Sequence, residues 1–170
     1  MKPPKINGLK QVRVETIREA PFTFGDAAEP YRTGDSPDKI AAILESIFEA
    51  DPTVETEREN FFVILLSTRR KILGWQHVSV GTLDTILVHP REIFRAAIVG
   101  NAAAIVRAHN HPSGDPTPSE SDIRATRDAV KAGQILKIEV VDHVIVGNPV
   151  LRQPGSRGWA SLKELGYFYA

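Results

Sequence analysis

The stretch from Ala102 to Arg127 constrains this chain more than any other. An apolar run, Ala102 to Val106, leads into two histidines one residue apart, His109 and His111. A loop with Pro112, Gly114, Pro116 and Pro118 follows, and then Ser119 and Asp122 open a helical pattern. Strand, loop and helix are thus dictated in that order. If the strand ends near Ala108, alternation sends His109 and His111 to the same side. Asp122 returns to them from the first turn of the helix. Two imidazoles and a carboxylate suit a divalent metal such as zinc. Three protein ligands leave a fourth position for water, the pattern of a catalytic rather than a structural site.

Each element also has a plainer reading. A His-x-His at a strand end is often solvent-exposed. Ser119-x-x-Asp122 reads as a capping box, although that box prefers Glu or Gln at its last position. Both roles are compatible, with Ser119 starting the helix while Asp122 turns to the metal. The chain has no cysteine. Disulfides and thiolate ligands are therefore excluded, and a zinc ion has only imidazoles and carboxylates to bind.

The rest of the chain supplies a mixed α/β frame for this stretch. Residues 1–36 read as an N-terminal arm with a short strand over Gln11–Glu19, and residues 37–170 as one domain. Ser36-Pro37 caps an amphipathic helix to about Ala50, with Ile40, Ile43, Leu44, Ile47 and Phe48 on its apolar side. Phe61 to Leu66 is apolar without alternation and fits a strand covered on both faces. Ile72 to Val80 reads as a strand pairing back as a hairpin. Pro90 opens a helix through about Val99, with His89 before it in a structural or surface role. The helix after Ser119 is expected to run to Ala132 and stop at Gly133. Ile135 to Val146 reads as strand, with Ile138, Val140, Val144 and Val146 sharing a face. Asp142-His143 interrupts it, as a hydrogen-bonded pair supporting the histidine loop. Trp159, Leu162 and Phe168 anchor the C-terminal end.

His109-x-His111, seven residues, Ser119, two residues, Asp122 resembles the JAMM motif of MPN/JAB-domain metalloproteins. The wording His109-Asn-His-Pro-Ser-Gly-Asp115, Val88-His-Pro-Arg-Glu-Ile-Phe94 and Asp142-His-Val-Ile-Val-Gly147 is similar to the RadC branch of that family. The resemblance covers about residues 55–166. It implies a single domain with a curved mixed sheet flanked by helices and one zinc at its edge. It also implies a glutamate outside the zinc shell that handles the proton of the activated water. Glu59, just before the Phe61–Leu66 strand, matches that place. Its plainer reading is one solvated carboxylate beside Glu55 and Glu57. By the same resemblance the Ser119 hydroxyl donates to the developing oxyanion. Ser113 is the alternative donor, with loop-shaping as its plainer role, and Asn110 anchors the loop.

The expected function is therefore a zinc metalloprotease or isopeptidase acting on a peptide or protein. The alternative is a DNA-associated binding module with a structural metal, since RadC proteins are linked by name to DNA repair. Lysine plus arginine and aspartate plus glutamate both total 21, so net charge is zero, which speaks mildly against nucleic acid. Zinc nucleobase deaminases need a Pro-Cys-x-x-Cys segment, which a cysteine-free chain cannot supply. His-Glu-x-x-His is absent as well. No apolar run approaches the roughly 18 residues of a membrane helix, and Met1–Lys5 leads into no signal-peptide core. A bacterial cytoplasmic setting is the expectation.

Overall fold

The strands form one mixed sheet because two kinds of connection are written into the chain. β1 (Asn60–Leu66) and β2 (Ile72–Val80) are joined by a tight turn and pair antiparallel. β3 (Ala104–His111) and β4 (Glu139–Gly147) run parallel. A parallel pair needs a long crossover, and α3 (Glu120–Leu136) is that crossover. With β5 (Trp159–Ser161), the sheet order is β2-β1-β3-β4-β5. The computed structural model describes residues 33–50, 54–81, 89–151 and 154–168. The strand expected over Gln11–Glu19 lies outside them. Among the described residues, no helix is long and apolar enough to cross a membrane.

Both faces of the sheet are covered. α1 (Pro37–Ala50) lays Ile40, Ile43, Leu44 and Ile47 against Phe62, Ile64, Leu66, Val106, Ala108, Val144 and Val146. Burying each such helix side chain stabilises by roughly 1.5–3 kcal/mol. α2 (Pro90–Val99) and α3 cover the other face, where Phe61, Val63, Leu65 and Ile105 meet Ile93, Phe94 and Ala129. β1 is buried along its whole length, as a continuous apolar run requires. The expected mixed sheet flanked by helices is what the chain forms.

Three local expectations need correcting. β3 extends to His111, so the histidines sit on the strand itself. The helix does not stop at Gly133 but continues to Leu136, ending at Lys137 in a left-handed conformation (φ 58°). Gly133 is an interior contact instead, since a Cβ there would fall 2.5 Å from the Ile138 carbonyl oxygen. Ile135 is consequently on the helix and 81% exposed.

The third correction concerns β4. Its register against β3 jumps between Val140 and Asp142, leaving Val141 as an extra residue. Such a bulge reverses the alternation beyond it. Ile138 and Val140 therefore face α2 and α3, while Val144 and Val146 face α1. The four do not share a face. Asp142-His143 does not interrupt the strand but lies within it.

Candidate metal centre

β3 carries the site because its odd-numbered residues, from Ile105 to His111, point toward α3. His109 is buried, and its ring stacks on Phe61, with centroids 6.3 Å apart. His111 is less enclosed. Its Nδ1 is 2.8 Å from the Asp115 carbonyl oxygen, so this nitrogen is a donor and Nε2 is the one turned to His109 and Asp122. The loop between them and α3 lies against the end of β4. A Cβ on Gly147 would collide with the Gly114 backbone.

Asp122 arrives as the sequence requires, on the first turn of α3. Ser119 and Asp122 form a complete capping box. The Asp122 N–H donates to Ser119 Oγ at 3.2 Å, and the Ser119 N–H donates to Asp122 Oδ2 at 2.8 Å. The Ser119 hydroxyl lies 2.5 Å from the same carboxylate oxygen. The box thus aims the carboxylate at the histidines. Asp122 Oδ1 is 3.3 Å from His109 Nε2, Asp122 Oδ2 is 3.6 Å from His111 Nε2, and the two Nε2 atoms are 3.0 Å apart.

This triangle can hold a metal ion. Zinc bonds to nitrogen and oxygen of about 2.0–2.2 Å put tetrahedral ligand atoms about 3.3–3.5 Å apart. The three separations bracket that value. Electrostatics favour the ligating form of His109 and Asp122. Burial lowers the His109 pKa to about 3, keeping it neutral. Burial works against ionised Asp122, but the neighbouring His111 and His109 rings and the Ser119 donors outweigh it and hold the carboxyl well below its usual range. For His111, burial is outweighed by Asp122 and the Asp115 carbonyl, and its pKa is raised.

Glu59 immediately precedes β1. Phe61 pairs with His109 across the ladder, and continuing that register sets Glu59 opposite His111, on the face where Phe61 lies. The Glu59 carboxylate adds to the upward pull on the His111 pKa. Asn110 points to the other side and holds this segment in place. Its Oδ1 accepts from the Asn60 N–H at 2.8 Å, and its Nδ2 donates to the Arg58 and Thr56 carbonyls at 2.9 and 3.1 Å. The anchor predicted for the histidine loop thus holds the approach to β1. Glu55 is exposed and 3.9 Å from Arg58.

The remaining candidates have structural roles. Ser113 Oγ accepts from the Asp115 N–H at 3.4 Å, within the loop. His89 is the N-cap of α2 and accepts from the Arg91 N–H at 3.2 Å.

Asp142 and His143 are not a side-chain pair. Asp142 faces α1 and accepts from Ser161 Oγ, while His143 faces α3 with its Nε2 2.8 Å from His109 Nδ1. The expected support of the histidine loop thus comes from His143 alone, and Thr126 and Arg107 are the site residues that reading the chain missed. Two signals were present. Arg107 shares the parity of His109 and His111, and Thr126 lies one helical turn after Asp122. Burial lowers the Arg107 pKa to about 10.

Comparison with known proteins agrees with this fold. The RadC-like JAB domain family matches residues 35–167. The chain belongs to that family. A UPF0758 protein from Moorella thermoacetica is 56% identical over 92 residues, which cover 54% of this chain and 40% of that protein. One from Desulfitobacterium hafniense is 52% identical over 110 residues, 65% of this chain and 45% of its own. One from Alkaliphilus metalliredigens is 42% identical over 115 residues, 68% and 47% of the two chains. The chain spans less than half the length of these relatives. The JAB domain thus carries a His-His-Asp cluster able to take a metal at the C-terminal end of β3.

Proposed function

We propose that this domain is a zinc-dependent hydrolase that cleaves an amide bond in a peptide or protein. The observation that carries the reading is the convergence of His109 Nε2, His111 Nε2 and the Asp122 carboxylate within 3.0–3.6 Å. Two imidazoles and one carboxylate favour zinc over magnesium or calcium, which prefer oxygen. Bound zinc supplies an acidified water and a Lewis acid for a carbonyl oxygen.

The chain's own residues supply the rest. Glu59 takes the water's proton and returns it to the leaving amine, a role worth roughly two to four orders of magnitude. Ser119 rotates its hydroxyl from Asp122 to the developing oxyanion, a contact worth about 3 kcal/mol. Its backbone N–H keeps the Asp122 carboxylate aimed meanwhile. A cysteine-free chain fits a cytoplasmic setting.

The test is metal content of the purified chain beside His109→Ala and Asp122→Ala. About one zinc per chain, lost in both variants, is the expected result. A screen of peptide and isopeptide substrates follows, with Glu59→Gln as the inactive control. No metal after incubation with zinc at neutral pH overturns the proposal.

A further inference from the structure

His109 is wired on its far side to a buried chain of polar groups that the proposed chemistry does not use. His109 Nδ1 is 2.8 Å from His143 Nε2, and His143 Nδ1 is 2.6 Å from Thr126 Oγ1. His109, His143 and Thr126 are each at most 3% exposed. Thr126 Oγ1 also lies 2.6 Å from the Asp122 carbonyl oxygen and 3.1 Å from Arg107 Nη1.

Distances alone leave the direction of each imidazole bond open. Two groups at the end of the chain remove that freedom. A carbonyl oxygen only accepts, so the single Thr126 proton goes to Asp122. A guanidinium only donates, so Arg107 takes one Thr126 lone pair. The remaining lone pair must accept, which makes His143 Nδ1 a donor. A neutral imidazole carries one N–H, so His143 Nε2 is an acceptor and His109 Nδ1 must donate to it. His109 Nε2 is then bare, and it is the nitrogen that faces His111 and Asp122. A second proton on His143 would bury two cations on one hydroxyl, with Arg107 as the other.

We propose that His143 and Thr126 are positioning residues that lock His109 in the tautomer whose Nε2 binds the metal. The same bonds close a circuit, because Thr126 returns to the backbone of Asp122, the residue bearing the third ligand. The inference rests on the metal-site reading above. A hydrogen-bonded partner on the far nitrogen of a ligating histidine fixes ring orientation and basicity, and losing it costs metal affinity.

Two measurements on the full chain test it. The first is the nitrogen-15 shifts of the His109 ring in the zinc-free protein, where a protonated Nδ1 and a bare Nε2 are expected. The second is zinc affinity by competition with a chelator. His143→Phe and Thr126→Val should bind zinc roughly 10- to 100-fold more weakly. His143→Gln keeps an acceptor near the Nε2 position and should stay closer to wild type. An Nε2–H tautomer at His109, or wild-type affinity in both His143→Phe and Thr126→Val, overturns the inference. The tautomer measurement uses the unaltered chain, so it decides even if a variant fails to fold. A wild-type chain that binds no zinc would instead sink the metal reading, and the ring shifts would still settle the direction of the relay.

Discussion

The two faces of β3 are built from the same strand and obey different rules. Toward α1 it presents Ala104, Val106 and Ala108, buried among apolar side chains. Toward α3 it presents Ile105, then Arg107, His109 and His111. The first face is held by non-directional contact, where shape and volume decide. The second buries polar atoms, each of which costs free energy unless it is hydrogen-bonded. A site that must hold two imidazoles within 3.0 Å needs the directional face. The dry face fixes the strand against which those directions are set.

That division of labour is broken or upheld first by a core truncation on the α1 side. Ile47 is fully buried in the α1 layer. Ile47→Ala should lower stability by roughly 2–5 kcal/mol, read from urea denaturation of the zinc-free chain. Zinc affinity of the folded fraction should stay at the wild-type value. A parallel fall in affinity would mean that the site depends on α1 packing and that the two faces are not separable.

Arg107 offers the converse experiment, with a smaller effect. Its guanidinium is 2% exposed, its Nε has no hydrogen-bond partner, and it lies 5.0 Å from the Phe61 ring. Its hydrogen bond to Thr126 replaces little of the water it lost. Arg107→Met should therefore raise stability by roughly 1 kcal/mol, seen as a higher Tm, because apolar replacement of buried charge is often stabilising. Zinc affinity should fall less than in Thr126→Val, since the Asp122 carbonyl still directs the Thr126 proton. A lower Tm would show that Arg107 is a packing residue.

What the sequence made legible follows the same division. Helix α1, both hairpin strands and the start of α3 could be read because their signals are local: a Ser-Pro start, an apolar run and a capping box. The His109, His111 and Asp122 spacing could be read because strand alternation and a helix first turn are local geometry too. The β4 bulge could not, since Val141 is extra only in relation to β3. Gly133 was misread for a related reason. Its lack of a side chain serves the approach of Ile138 in the next strand, which mimics a stop signal. The His143–Thr126 relay joins positions 34 and 17 residues from its partners, and periodicity carries no information at that range.

Asp142, like Asn110, is a buried polar group on the α1 side, and it gives the smallest and most specific prediction. Three donors reach its carboxylate: Ser161 Oγ and the His143 N–H at 2.7 Å, and the Lys163 N–H at 3.2 Å. Burial nevertheless outweighs them and raises its pKa above the ordinary 3.8. The folded chain therefore holds this proton more tightly than the unfolded chain does. Ionisation of Asp142 then costs stability, and the cost disappears as pH falls through the raised value. Asp142→Asn cannot titrate, so its stability carries only the pH dependence of the other groups. Wild type should gain on Asp142→Asn when both zinc-free proteins are unfolded with urea at mildly acidic rather than neutral pH. If the gap closes in the other direction, the three donors prevail over burial, and this carboxylate is stabilised by its hydrogen bonds as the polar atoms on the α3 side are.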